Sequence, residues 1–575
     1  MDFWLHVLNL IGLFIILGLS LNLLLGYAGL ASMAHAAFFG IGAYATALTA
    51  RDLGLPFPLT MLAAIAVTTV LAGVVTFPAL RVRGEYLILL TLAFQMVVYG
   101  LMLSWVDLTA GRTGISAIPR PRVFGVALVT PGQFLPLIMI CAAAVFAIAY
   151  RIGESPLGRI LKAMRDDEVA TLAIGKSVLR YKVLVFCVSG GLAAVAAALF
   201  AHYQAFINPF SFNLDRSIFL VALVVLGGAA NPIGAVVGAV IFVGLPEMLR
   251  FLQARQDIVD AVRNLVFGLL LMLFMRFRPE GFVPEHARGR TSARGDDGAP
   301  SKGSDRALDA LPQSGTAAAA TGPALSADGL KKSFGGIRAA DDLTLVLAPG
   351  KVTALVGPNG AGKTTVFNLL TGFLTPDGGT VRLRGADVTH RAPWRMVRLG
   401  LARSFQDVRL FERMTVLDNV LAAIPHQPGE RLGPLFLAPR RTAQAERKNR
   451  ETALAYLAFV GLEGKAGEVA SSLAFGEQKL VALARLMATE ADILLLDEPA
   501  SGVDLHWVRR ILDLIRRLAA SGKTVCIVEH NLEVVTAIAD HAYFMEAGRI
   551  IAEGRPEALM ADRRLGEIYF GRVRQ

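Results

Sequence analysis

The segment Val352–Thr365, VTALVGPNGAGKTT, carries the side chains of this chain best spaced for chemistry. Gly357, Pro358, Asn359, Gly360, Ala361, Gly362, Lys363 and Thr364 fill a complete G-x-x-x-x-G-K-[ST] loop, and Thr365 follows it. The run Val352 to Val356 before the loop is β-branched and apolar, which predicts a buried strand. Val366 to Leu370 after it predicts the opening turns of a helix. In that context Gly357, Gly360 and Gly362 let successive N–H groups converge on one phosphate. The helix N-terminus adds partial positive charge at the same place. Lys363 brings a full charge to the β- and γ-phosphates, and the Thr364 hydroxyl suits Mg²⁺. The implied ligand is a nucleoside triphosphate with Mg²⁺.

A second group follows about 140 residues later. Ile493 to Leu496 is an apolar strand that delivers Asp497 toward a phosphate-bound Mg²⁺. Glu498, one residue on, can orient and polarise the attacking water. Three further features are ordinary when read alone. Leu473, Ala474, Phe475, Gly476, Glu477 and Gln478 precede the helical run Lys479–Met487. His530 follows the strand-like run Val525–Val528, and Gln406 sits in RSFQ.

These residues need elements to hold them, and composition divides those elements in two. At 575 residues the chain exceeds one ordinary domain. Its hydrophobic content is 54%, and the excess lies in the first 280 or so residues. A net charge of +11 raises the question of nucleic acid. The basic residues, however, fall in loops between apolar runs, where they set membrane topology, so a lipid bilayer and no nucleic acid is the reading. Cys141, Cys187 and Cys526 are far apart and lie in apolar runs, which predicts small buried hydrophobes without disulfide or metal spacing. The N-terminus enters the first span with no basic leader, so no cleaved signal peptide is expected.

A span takes about 20 apolar residues. Candidates are 5–25, 30–50, 57–80, 86–106, 131–150, 183–205, 217–249 and 262–277. The run 217–249 is broken by GGAANPIG and reads as two helices around a bend, so about eight to ten crossings are expected. Arg151, Arg159, Lys162, Arg165, Lys176, Arg180 and Lys182 crowd one loop. Burying them would cost on the order of 20 kcal/mol, so the loop is placed on the cytoplasmic side. Arg81 and Arg83 mark another such loop, whereas Arg112, Arg120 and Arg122 fall in a loop that parity places outside. Asn22, Gln95, Gln204 and Asn208 lie in or near spans and can either line a pathway or bond to a neighbouring backbone. Residues 284–324, rich in Ala, Gly, Ser, Asp and Arg, read as a flexible linker. Beyond it, strands near 343–347, 352–356, 493–497 and 524–528 alternate with helices such as Val508–Leu518. The expected fold is an all-α polytopic membrane domain (1–283) followed by an α/β P-loop domain (325–575).

In order and spacing, the second domain resembles the ATPase of ABC transporters. GPNGAGKT matches the Walker A loop, ILLLDEP the Walker B strand, and LAFGEQ the signature motif. SGVD, with Ser501 and Asp504, matches the D-loop. The resemblance implies that Gln406 is the Q-loop residue contacting Mg²⁺ beside Thr364 and Asp497, that Glu498 acts in hydrolysis, and that His530 holds the γ-phosphate. Phe334 reads equally as an adenine platform or a core aromatic. The signature departs from LSGGQ at Ala474, Phe475 and Glu477. Losing the serine hydroxyl removes a hydrogen bond worth about 1.5–3 kcal/mol to a charged acceptor. Either one composite site is weakened, or this is a subfamily style.

The segments LARSFQDVRLFERMTVLDNVLAA and LGEIYFG favour the subfamily style, because they resemble the ATPases of branched-chain amino-acid importers. The run 21–48, GRTGIS at 111–116 and SPLGRILKAMRDDEVATLAIGKSVLRYK at 155–182 resemble the permease of the same importers. The last segment implies a docking helix with Asp167, Glu168, Ala170 and Gly175. The family further implies a bacterial inner-membrane location with the ATPase in the cytoplasm. It also implies a second permease, a second ATPase and a periplasmic substrate-binding protein as partners. Urea, short amides and aromatic acids are alternative substrates among such importers. An exporter half-transporter is disfavoured by the short loops, and a non-transporting regulator by an intact Glu498 and His530.

Overall fold

A computed structural model describes residues 2–79, 85–123, 126–249, 268–269, 272, 276–278, 281–285, 322–562 and 565. The Arg81/Arg83 loop, most of 262–277, most of the 284–324 linker and all but Leu565 of LGEIYFG lie outside them. By its contacts the chain divides into two units. The first is Met1–Arg165 with Val178–His286; the second is Asp166–Ser177 with Ala287–Gln575.

The first unit is helical. Among the described residues, six helices are long and apolar enough to cross a bilayer: Asp2–Tyr27, Phe57–Phe77, Tyr86–Ser104, Pro131–Gly153, Val178–Gln204 and Pro209–Gly228. His35–Arg51 has 17 residues and Pro232–Gly244 is shorter still. The number six, against the eight to ten crossings expected from eight apolar runs, follows from that shortness and from the run left undescribed. The run 217–249 is broken as its glycines and Pro232 predict, into Leu214–Gly228 and Pro232–Leu249. Asp2–Tyr27 and Val178–Gln204 are 83% and 67% buried over their most apolar windows. Phe57–Phe77, Tyr86–Ser104 and Pro131–Gly153 are only 28–33% buried though equally apolar. Apolar surface exposed on that scale belongs against lipid, which makes this a membrane protein.

Three of the four polar residues in or near spans bond to backbone. Asn22 accepts from Ala230 N–H at 2.8 Å and donates to Asn231 C=O at 2.9 Å, so it satisfies the broken stretch between two helices. Gln95 accepts from Ala37 N–H at 2.6 Å and donates to Phe212 C=O at 2.8 Å. Asn208 caps the turn Pro209–Phe212 through Ser211 N–H. Gln204 is exposed.

Among the described residues the second unit holds ten strands: β1 Leu325–Phe334, β2 Ile337–Leu347, β3 Val352–Val356, β4 Gly378–Leu383, β5 Ala386–Asp387, β6 Leu401–Arg403, β7 Ile493–Asp497, β8 Thr524–Val528, β9 His541–Glu546 and β10 Arg549–Gly554. One sheet runs β6-β7-β8-β3-β9-β10 and the other β2-β1-β4-β5. The first is parallel except for β10, as crossovers through helices require. The second is antiparallel. Register places the chemistry. β7 and β8 pair Asp497 with Val528, and β8 and β3 pair Val528 with Leu355. The glycine loop, Asp497–Glu498 and Glu529–His530 therefore leave the sheet at neighbouring C-terminal strand ends, where open α/β sheets bind ligands.

Beneath that edge, Leu355, Val366, Phe367, Leu370, Leu495, Cys526 and Met545 form one core. Burial pushes the Cys526 thiol up to about 12. Cys526 is thus expected to resist iodoacetamide at pH 8 in the folded protein and to react fully in denaturant. Mass spectrometry of the alkylated peptide checks this, and rapid labelling without denaturant would contradict the buried strand.

Candidate functional site

The glycine loop turns as its sequence requires. Gly360 and Gly362 have φ of +81° and +104°, which side chains with a Cβ rarely adopt. The helix Lys363–Leu370 starts at once after Gly362. Lys363 is buried and donates to Gly357 C=O at 2.8 Å and Pro358 C=O at 3.0 Å. Burial lowers its pKa, with Glu498 and Asp497 pulling the other way. Asn359, Gly360 and Thr364 are exposed on the same turn.

Asp497 is 2% exposed at the end of β7. Its Oδ2 accepts from Arg403 Nη2 at 3.3 Å, while its buried Oδ1 has no hydrogen-bond partner among the described residues. Burial raises its pKa, opposed by Arg403 and Lys363. A buried carboxylate oxygen of this kind beside the glycine loop fits a hard divalent cation. Among the described residues no group of three or more His, Cys, Asp or Glu side chains is arranged for a metal. An ion here would therefore rest on Asp497 with neutral oxygens, such as the Thr364 hydroxyl and the Gln406 amide.

Glu498 has φ +46°, a strained backbone for a residue with a side chain, and its N–H donates to Val528 C=O at 3.0 Å. Its two oxygens point at different elements. Gln406 Nε2 donates to Oε2 at 3.1 Å, and His530 Nδ1 lies 3.7 Å from Oε1. Three residues scattered over the sequence thus meet at one carboxylate. Gln406 and His530 are exposed. The arrangement can hold a water, accept its proton and sense the loop that carries Gln406.

Phe334 is 47% exposed with the Lys332 ammonium 5.8 Å from its ring centre, so the core-aromatic reading falls and an exposed aromatic face remains. At the signature, the helix begins at Phe475, earlier than Lys479. Ala474 and Phe475 are exposed. Glu477 is used internally: Oε2 accepts from Ala474 N–H at 3.2 Å and Oε1 pairs with Lys465 at 2.8 Å. Gln478 donates to Leu473 C=O at 3.0 Å. Gly476 is required by packing, since a Cβ there would lie 2.6 Å from Trp507 Cγ. Ser501 N–H donates to Glu498 C=O at 3.2 Å, and Asp504 caps the helix Leu505–Ala520 without a side-chain bond.

Arg403 is a site residue that sequence reasoning missed. It is 4% exposed, donates to Asn368 Oδ1 as well as Asp497, and stacks within 4.7–5.9 Å of Phe405, Phe373 and Phe367. Burial lowers its pKa to about 10, so it stays charged at neutral pH. The available signal was a cation inside a short apolar strand, three residues before Gln406.

The segment Asp166–Ser177 folds onto the ATPase side of the same loop. Asp167 caps the helix Glu168–Ala173 through Ala170 N–H at 2.9 Å and pairs with Arg409 at 2.9 Å. Asp166 accepts from Arg413 N–H at 3.2 Å, and Gly175 C=O accepts from Arg398 Nε at 3.3 Å. Ala170 is fully buried, and Glu168 is partly buried. Lys176, another residue missed, donates to Glu430 Oε1 at 2.5 Å and Ile424 C=O at 2.7 Å, with only 3% of its side chain exposed.

Known proteins agree with this layout. A family model described as branched-chain amino acid transport system / permease component matches residues 3–275, and one described as ABC transporter matches 340–501. The chain is 39% identical over 252 residues to the high-affinity branched-chain amino acid transport ATP-binding protein LivG of Escherichia coli strain K12, covering 43% of this chain and 98% of LivG. It is 38% identical over 251 residues to the corresponding protein BraF of Pseudomonas aeruginosa, covering 43% of this chain and 98% of BraF. A solved nucleotide-free ATP-binding cassette from an ABC transporter is 33% identical with a TM-score of 0.38, covering 43% of this chain and 99% of that one. With a permease half and a nucleotide-hydrolysing half in one polypeptide, the chain belongs to the branched-chain amino-acid ABC transporter family as a fused permease and ATP hydrolase coupled to transport.

Proposed function

We propose that this protein imports branched-chain or related amino acids across a bacterial inner membrane, with its ATPase in the cytoplasm. The observation that carries this reading is that both halves match components of one transport system: a permease family over 3–275 and LivG at 39% identity. One permease and one ATPase make half of a transporter. A second permease and ATPase, or a second half-transporter, and a periplasmic binding protein complete the assembly.

In the hydrolytic step, Lys363 and the loop N–H groups grip the phosphates, and Glu498 takes the proton of the attacking water. Gln406 and His530 aim the two oxygens of that carboxylate. Asp497, Thr364 and Gln406 would hold Mg²⁺, which would supply neutralisation of phosphate charge. Phe334 offers a stacking face to adenine. The signature residues 473–478 and the D-loop residues Ser501 and Asp504 serve the opposite subunit's nucleotide. Motion of the Gln406 loop passes to the permease through Asp167, Glu168, Ala170 and Gly175.

Uptake of radiolabelled leucine, urea, acetamide and phenylalanine into proteoliposomes, with each candidate binding protein, tests the substrate and direction. ATP-dependent leucine uptake only with a binding protein supports the reading. Outward transport, or uptake of urea alone, contradicts it. Lys176→Met is expected to cut uptake by about tenfold or more while ATP turnover in detergent changes less than about threefold. The reason is that the substitution removes the buried ion pair to Glu430 and the hydrogen bond to Ile424 C=O at the coupling segment, where losing one partner of a buried pair costs about 3–5 kcal/mol. Equal losses of uptake and detergent turnover would place Lys176 outside the coupling path.

A further inference from the structure

Lys479 has a role that the site described so far does not include. It lies in the second turn of the signature helix and is 8% exposed. An ammonium has three N–H donors. Here they meet three backbone carbonyls of one short turn: Ser501 at 2.6 Å, Glu498 at 3.0 Å and Pro499 at 3.3 Å. The charge also stands 5.4 Å from the Phe475 ring centre. The turn it grips is the one that leaves β7 with Glu498 in a strained, left-handed backbone. That turn is held from the other side as well. Glu529, 1% exposed, accepts from Ala500 N–H at 3.1 Å, and Val528 C=O accepts from Glu498 N–H. Without Lys479 the three carbonyls lose a buried cation, and the strained turn loses the contact on its signature side.

We propose that Lys479 is a positioning residue for hydrolysis, tying the signature helix to the turn that aims the Glu498 carboxylate. The proposal rests on the reading of Glu498 as the group that takes the water's proton. The hydrogen bonds of Lys479 go to Glu498, Pro499 and Ser501 and not to the glycine loop or Asp497, so its effect belongs in turnover and not in nucleotide affinity. Misplacing a reacting group by about 1 Å can cost 10²-fold in rate.

The test uses the full-length protein in lipid nanodiscs and steady-state hydrolysis of radiolabelled ATP over a range of ATP concentrations. Lys479→Met is expected to lower kcat by about 10- to 100-fold with the KM for ATP within about threefold. Lys479→Arg, which keeps a buried cation and donors, is expected to recover most of that loss. On a Glu498→Gln background, Lys479→Met is expected to add less than about twofold, because two residues acting through one group do not add. If Lys479→Met does not fold, Lys479→Gln carries the same comparison with two neutral donors. A kcat within about twofold of the unmodified protein overturns the proposal. So does an equal fold-loss with and without Glu498, which marks Lys479 as structural only. If Glu498→Gln by itself retains turnover, the reading of Glu498 fails, and the proposal falls with it. If Glu498→Gln silences turnover and Lys479→Met does not, only the proposal fails.

Discussion

Replacing Glu498 by Gln is expected to lower ATP turnover by about 10²–10⁴-fold, the range supplied by a positioned general base. The substitution keeps shape and one acceptor oxygen but removes the ability to take a proton. Gln406, 3.1 Å from one oxygen, and His530, 3.7 Å from the other, remain to hold the side chain in place. Nucleotide affinity is therefore expected to stay within about tenfold, since in the proposed function the glycine loop and Lys363, not Glu498, hold the phosphates. Radiolabelled ATP hydrolysis with equilibrium nucleotide binding on the same preparation measures both. Turnover within about threefold of the unmodified protein would move the proton acceptor elsewhere in the site. A parallel loss of binding would instead mean that the strained backbone at +46° depends on the charge of this side chain.

Lys363→Ala is expected to lower turnover by about 10²–10³-fold, as for removal of one preorganised donor at a developing charge. It is also expected to weaken nucleotide binding by about 10- to 150-fold, from the loss of 1.5–3 kcal/mol per charge-assisted hydrogen bond. The two losses separate this residue from Glu498, whose replacement spares binding. Structure gives the reason. Lys363 opens the helix that follows the loop, and its buried ammonium is held by the loop's own Gly357 and Pro358 carbonyls. Calorimetric titration with ATP and magnesium, beside a turnover assay, reads both effects. Unchanged binding would show that the loop N–H groups suffice and that Lys363 acts only in the transition state.

Much of the ATPase was legible from sequence because its central strands are buried on both faces. Val352–Val356, Ile493–Asp497 and Thr524–Val528 are continuous, almost wholly apolar runs, as parallel strands flanked by helices must be. The antiparallel strands were harder to see. Arg549–Gly554 alternates exposed and half-buried residues, and Leu325–Phe334 carries Asp328, Lys331 and Lys332. Neither forms an apolar run. The helices of the membrane half were legible as runs, but a run does not reveal which helix sits inside. Asp2–Tyr27 and Phe57–Phe77 are similarly apolar, and only packing makes one central and the other lipid-facing.

Local pattern by itself determined the two-part architecture, the strand, glycine loop and helix at 352–370, the Asp497–Glu498 strand end and the family. Each of these is a matter of residue types within a few turns of chain, where backbone geometry and burial set the rule. Tertiary structure decided the meetings. Glu498 reaches Gln406 across 92 positions, Lys176 reaches Glu430 across 254, and Asn22 reaches Ala230 across 208. It also buried the cations Arg403 and Lys479, to which the sequence alone assigned no role. A charged side chain in an amphipathic or apolar segment reads as solvated until the topology shows what covers it. The order of strands in a sheet settles that cover, and it depends on crossovers far longer than any hydrophobic period.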